Sequence, residues 1–231
     1  GFIGSHLVEK LLDKGFEIHA FDIVPINKCN NLKEIFHLPK FKYTCGDIKN
    51  KESVKNFFPK DAEIVYHLAS VVGVREYIND PLSVIETIID GSRNIINLCH
   101  KHKTRILFAS TSEIYGKNPN TPWKENADRV LGDPSVDRWS YSTSKAIVEH
   151  ILFAFYKQKK IDFSTVRFFN VYGPRQNPIY VVSQTIYRIL RGEPPDIYDE
   201  GKSIRCFTYI DDVIEGLILA ATRKEALGNV F

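Results

Sequence analysis

Apolar side chains recur at helical spacing over Gly1–Lys14, where Ile3, Leu7, Val8, Leu11 and Leu12 share one face and Gly15 ends the run. Glu17–Ile23 follows as a β-branched and aromatic stretch that predicts a strand. The same reading predicts strands at 42–45, 63–68, 105–110 and 164–168. It predicts helices at 53–58, 82–102, 141–158 and 182–191. Gly228–Phe231 reads as the start of a further strand. Strands alternating with helices make βαβ units, hence an α/β chain with a mostly parallel sheet and helices on both faces. Right-handed crossovers then gather the strand C-termini along one edge, where ligands bind. After Gly173-Pro174 the glycine and proline content rises (Pro178, Gly192, Pro194, Pro195, Gly201), which predicts a smaller, loopier second lobe.

Composition narrows the field only a little. The 231 residues are 43% hydrophobic and 26% charged, with a net charge of +3 and no basic stripe, which argues against nucleic acid as a partner. Cys29, Cys45, Cys99 and Cys206 lie far apart, without C-x-x-C or metal spacing. They read as reduced, mostly buried thiols of a cytoplasmic protein, with no metal site. No apolar run reaches membrane-spanning length. The chain opens in mid-motif and contains no Met, so it reads as a portion of a longer polypeptide, with a further strand expected ahead of Gly1.

Two short segments carry the chemistry. Thr111-Ser112-Glu113 ends a buried strand, and Tyr141-Ser142-Thr143-Ser144-Lys145 opens a helix. A Tyr and a Lys four residues apart share a helix face. An ammonium beside a phenol favours the phenolate, so Tyr141 is the candidate base and Lys145 the group that tunes it. With the Thr111 hydroxyl and the Glu113 carboxylate, the set suits alcohol oxidation with a nicotinamide cofactor. Gly1-Phe2-Ile3-Gly4-Ser5-His6 matches the second half of a dinucleotide fingerprint, in which Gly1 admits the pyrophosphate and Gly4 lets the helix pack. Asp22, ending the next strand about 20 residues on, is placed to bind the adenosine ribose; its charge would repel a 2′-phosphate, which favours NAD over NADP. Asp47 either touches adenine or caps the following helix.

Taken together, GFIGSHL, Asp22, YHLAS (66–70), STSEIYG (110–116), YSTSK (141–145), RFFNVYGPRQ (167–176) and RCFTYIDD (205–212) resemble the extended short-chain dehydrogenase/reductase family that modifies nucleotide sugars. The resemblance implies a Rossmann-type doubly wound domain over 1–172 and a partial substrate lobe over 173–231. It implies bound NAD, a UDP-sugar substrate, and a homodimer through helices around 82–102 and 141–158. Phe2, Ile3, Ile48, Leu68 and Ala69 join the implied NAD contacts. Ser112, Asn170, Arg175 and Arg205 join the implied substrate contacts. By that resemblance Tyr141 takes the proton of the sugar C4 hydroxyl, Thr111 relays it, and Lys145 holds the nicotinamide ribose. Glu113 and Arg205 manage proton return and charge, with a grip on the diphosphate as an equal reading of Arg205.

Within the family, Thr-Ser-Glu at 111–113 resembles UDP-glucuronate decarboxylases, as do Arg138–Ser142, Glu76–Val84 and Arg205–Thr208. A UDP-hexose 4-epimerase is the second expectation. A 4,6-dehydratase stands behind it, since dTDP-glucose 4,6-dehydratases carry Asp where Ser112 stands although GDP-mannose 4,6-dehydratases share Thr-Ser-Glu, and so does a non-catalytic NAD sensor. His67, inside an apolar strand, reads as a hydrogen-bonded core residue rather than a catalyst.

Overall fold

The structure is a computed structural model and describes residues 1–159 and 161–231. In chain order its first elements are α1 (Phe2–Asp13), β1 (Ile18–Asp22), β2 (Phe41–Cys45), α2 (Lys51–Phe57) and β3 (Ile64–His67). Next come α3 (Val74–Asn79), α4 (Pro81–Glu86), α5 (Ser92–His102), β4 (Arg105–Thr111) and α6 (Arg138–Lys159). The last are β5 (Phe163–Phe168), β6 (Asn170–Tyr172), α7 (Val181–Leu190), β7 (Phe207–Tyr209) and α8 (Ile210–Thr222). The predicted helices and strands fall within a few residues of these. The chain packs as two compact units. One comprises Gly1–Ile18, Cys29–Phe41 and Phe169–Gly216; the other comprises His19–Lys28, Lys42–Phe168 and Leu217–Phe231.

In the first unit, α1 buries Leu7 and Leu11, and a short 3-10 segment at Asn30–Ile35 buries Leu32 and Ile35. Arg175 locks this unit internally. Its guanidinium makes a two-pronged ion pair with Glu9 (2.7 and 2.6 Å) and also bonds His6 and the carbonyl of Asn31. β6 and β7 pair in parallel, Asn170 beside Phe207. Gly173 sits at φ +155°, and a Cβ there would lie 2.5 Å from Ile210, so only glycine fits. An apolar hollow of about 510 Å³, lined by Tyr172, Tyr187, Leu190 and Tyr209, opens beside α7.

The second unit holds a parallel sheet, β3-β4-β5, with Ile64 opposite Arg105 and Ile106 opposite Phe163. β4 is buried from Ile106 to Thr111, which is why it reads as a continuous apolar run rather than an alternating one. Phe108 and Phe163 are fully buried, and each contributes roughly 1.5–3 kcal/mol of transfer free energy. The chain end joins this sheet beside β5: Phe231 N–H donates to Thr165 O, and Arg167 N–H to Phe231 O. β1 and β2 pair as a separate two-stranded sheet.

The predicted helix at 82–102 is interrupted. A π turn at Thr87–Gly91 joins α4 to α5. It sets Gly91 against Ile48, so close that a Cβ on Gly91 would lie 2.5 Å from Ile48 Cδ1. Asn94 then holds the carbonyls of Ile48 and Lys49, docking the loop after β2.

The cysteines differ from expectation. The structure buries Cys99, half-covers Cys29 and exposes Cys45 and Cys206. Cys45 ends a strand of a two-stranded sheet, and Cys206 precedes one, so both sit at the ends of short sheets rather than inside the core. Among the described residues no disulfide joins them and no metal-binding cluster forms.

Candidate active site

The residues singled out by chemistry meet at the C-terminal end of β4. α6 begins one turn earlier than its pattern predicts, at Arg138, because Asp137 O accepts from Ser140 N–H and Oγ and starts the spiral. Small Ser142, Ser144 and Ala146 are buried, so the helix presses closely on its neighbours along this stretch. That packing buries Tyr141 and Lys145.

Lys145 is 2% exposed. Its ammonium donates to Ala109 O at 2.7 Å, and it lies 4.9 Å from the Phe108 ring centroid and 5.9 Å from that of Tyr141. Burial pushes its pKa from 10.5 down to about 7, with the nearby Glu149 carboxylate opposing the fall. Tyr141 stacks on Tyr77, centroids 5.3 Å apart and planes 16° off parallel. Thr111 is buried at the strand end, and its Oγ1 accepts from the N–H of Glu113, so the turn after β4 aims both side chains. Ser112 sits half-buried between them.

Arg138 is the group that the sequence reading passed over as a site residue. Its guanidinium pairs with Glu113 at 2.9 Å and donates to the Tyr77 hydroxyl at 3.1 Å. Both side chains of the ion pair are about a third exposed, so solvent and a ligand can reach it. Its signal was its spacing: Arg138 lies three residues before Tyr141, on the same helix face.

Beneath this surface lies a buried polar layer. Glu149 accepts from Ser110 Oγ at 2.5 Å and from Arg167, which donates Nε at 3.1 Å and Nη2 at 2.7 Å. Arg167 also holds the Tyr115 hydroxyl and the Glu125 carbonyl. His67 is the core residue expected of it: it bonds Ser92 at 2.8 Å, and burial, with the Lys145 charge adding, pushes its pKa down to about 3.

Other residues named from the sequence are placed as follows. Asp22 ends β1, where its Oδ1 accepts from the N–H of Val24. Asp47 closes a turn by accepting from Lys49 N–H; the cap of α2 is Asn50 instead, which corrects the capping alternative for Asp47. Ile48 is buried, and Leu68 and Ala69 follow the end of β3, half-buried. Gly1 caps α1, with Phe2, Ile3 and Gly4 in its first turn, and a Cβ on Gly1 would meet nothing within 4 Å. Asn170 donates to Cys206 O at 3.1 Å, Arg205 is exposed, and Arg175 is committed to Glu9. These last residues belong to the first unit, as do Gly1–Gly4.

The family model described as the NAD dependent epimerase/dehydratase family matches residues 1–231. The chain is 35% identical over 228 residues to the UDP-N-acetyl-alpha-D-glucosaminuronate decarboxylase of Bacillus cytotoxicus, covering 97% of this chain and 69% of that one. Among solved structures it is similar to the UDP-N-acetylglucosamine 4-epimerase of Methanobrevibacter ruminantium in complex with UDP-N-acetylmuramic acid (30% identity, TM-score 0.87, 100% of this chain and 72% of that one). It is also similar to the UDP-glucose 4-epimerase of Thermotoga maritima with UDP-glucose (29% identity, TM-score 0.86, 100% and 73%).

Proposed function

Because the chain belongs to the NAD-dependent epimerase/dehydratase family, we propose that it oxidises a UDP-linked sugar transiently at C4 and, with UDP-glucuronate or a related uronate, releases the C5 carboxylate as CO₂. It has the Rossmann-like α/β fold of that family. The observation that carries the decarboxylase reading is the Arg138–Glu113 ion pair beside Tyr77 and Tyr141. A hexose offers a guanidinium there only a neutral hydroxyl. A uronate offers a carboxylate, and Arg138 can hold one in place of Glu113.

The residues of the second unit fit NAD. Lys145 is a buried ammonium whose acceptor among the described residues is Ala109 O, which leaves its other N–H groups for ribose hydroxyls. Asp22 offers carboxylate oxygens at a strand C-terminus, the chemistry that ribose hydroxyls need. In this reading Asp22 takes the adenosine ribose, the Asp47–Ile48 turn flanks adenine, and Leu68 and Ala69 border the cofactor. Bound NAD would supply a hydride acceptor for the C4 hydrogen and a hydride donor for its return, and so would not be consumed.

The chain's own residues do the rest. Tyr141, as phenolate beside Lys145, removes the C4 hydroxyl proton, and Thr111 holds that hydroxyl and relays the proton. Arg138 fixes the C5 carboxylate, which is β to the C4 carbonyl once that forms. Loss of CO₂ leaves the electron pair on the C5–C4–O system as an enolate. Glu113, freed from Arg138 and reached by solvent, takes up a proton from water and passes it to C5, so one proton is consumed per CO₂ released. The proton held by Tyr141 goes back to the C4 oxygen when the ketone is reduced. Ser112 lines the same turn. Asn170 and Arg205 are the further substrate contacts suggested by the resemblance, with Arg205 assigned to substrate charge, whereas Arg175 is taken up by Glu9. The apolar Leu82 on α4 and Ile147 on α6, both exposed, support a homodimer through those helices.

The test is to incubate the full-length protein with UDP-glucuronate and NAD and follow product mass. Loss of CO₂, abolished in Tyr141→Phe, is expected. An unchanged UDP-glucuronate mass together with conversion of UDP-glucose to UDP-galactose would refute the decarboxylase in favour of the 4-epimerase, the second reading, which the similarity to the two 4-epimerases favours.

A further inference from the structure

Tyr141, Lys145 and Glu149 follow each other at four-residue steps along α6, so they share one face. The first two are explained by the proposed chemistry; a 5% exposed carboxylate one turn deeper is not. Its ties are specific. Oε1 accepts from Ser110 Oγ and Arg167 Nε, and Oε2 accepts from Arg167 Nη2. Ser110 and Arg167 are register partners on adjacent strands, so one carboxylate is fastened to both β4 and β5. Ser110 lies between Ala109, whose carbonyl receives Lys145, and Thr111, whose hydroxyl accepts from the N–H of Glu113. Arg167 is itself immobilised by Tyr115 and Glu125.

We propose that Glu149 is a positioning residue for the Tyr141–Lys145 pair: clamped by Ser110 and Arg167, its carboxylate fixes a negative charge one turn from Lys145 on the same face of α6 and locks that helix against the strand that ends in Thr111. The inference rests on the proposed pairing of Tyr141 and Lys145 for its effect on turnover, but the charge of Lys145 is measured independently of any reaction.

The groups around Lys145 leave this role to Glu149. Tyr141 sits on the same helix, with Tyr77 of α3 stacked on it. His67 of β3 is neutral at ordinary pH. Arg167 of β5, and Arg129 from the segment before α6, both act on the Glu149 carboxylate. Glu113, the other carboxylate, is paired with Arg138. Burial works against the Lys145 charge, and Glu149 is the group that opposes it.

The test is an NMR pH titration of the lysine Cε/Nζ signals in the full chain, with the Lys145 signal assigned by its loss in Lys145→Met. In Glu149→Gln the amide keeps the size of the side chain but not its charge. The Lys145 midpoint is expected to fall by about one pH unit or more, a tenfold loss in proton affinity. Glu149→Asp, which keeps the charge, should restore it. A folded Glu149→Gln with an unchanged midpoint overturns the proposal. If that variant does not fold, Arg167→Gln removes the cation that offsets the carboxylate, and the Lys145 midpoint is expected to rise; an unchanged midpoint there overturns the proposal. In turnover, the alkaline limb of the kcat profile should move to lower pH in Glu149→Gln and return in Glu149→Asp; a purely structural clamp would depress kcat equally at every pH. Should no sugar nucleotide turn over at all, the titration still decides the role of Glu149.

Discussion

Replacing Lys145 with Met should stabilise the protein at pH 6 and do much less at pH 9. The side chain is buried, and its folded-state pKa is about 7 against 10.5 when solvated. Between those values the unfolded chain holds a proton that the folded chain has given up, so stability rises with pH across that window and is flat below it. Such a difference corresponds to a penalty of about 5 kcal/mol at pH 6, falling to about 2 kcal/mol at pH 9. Met fills similar volume without charge but leaves Ala109 O without its donor, which costs about 1–3 kcal/mol at any pH. The net gain at pH 6 is therefore about 2–4 kcal/mol, and the gap between variant and wild type should narrow by roughly 2–3 kcal/mol from pH 6 to pH 9. Urea denaturation of both proteins at the two pH values measures it. A gap that stays constant with pH would show that burial does not depress the Lys145 ammonium and would refute the reasoning. The expected gain in stability comes with loss of the group that the proposed chemistry needs, as is common at functional sites.

Three further outcomes are expected. His67→Gln should flatten the acid limb of stability: His67 takes up its proton near pH 3 when folded but near 6.5 when unfolded, so wild type loses stability as pH falls through that range, by at most about 3 kcal/mol between pH 6.5 and 4. Gly91→Ala should destabilise by about 1–3 kcal/mol through overlap with Ile48, partly recovered by adding Ile48→Ala; thermal unfolding of the single and double variants measures both. Arg138→Gln should weaken binding of UDP-glucuronate by about ten- to a hundredfold while leaving UDP-glucose binding unchanged; equal losses for both in calorimetry would remove Arg138 from carboxylate recognition.

Much of the fold was readable because its signals are local. The apolar run Ile106–Ala109 announced a buried strand, and the four-residue step from Tyr141 to Lys145 put both on one face. What escaped was short or lacked a period. β6 and β7 have three residues each, too few to alternate, and α8 is apolar on too many sides to show a stripe around Gly216. The π turn at Thr87–Gly91 adds a residue to a helix without changing its composition, so a helical pattern ran straight through it. Helix α6 gained a turn at its start, and with that turn came Arg138.

Residue type and spacing determined which groups are available: a phenol, an ammonium, a hydroxyl and a carboxylate beside strand ends of an α/β chain. Tertiary packing alone decided their states and partners. It paired Glu113 with Arg138, removed Lys145 from water, and tied Glu149 to Ser110 and Arg167 across two strands. The reason is that periodicity reports only on neighbours along a helix or strand, whereas desolvation and ion pairing depend on segments that folding brings together from distant parts of the chain.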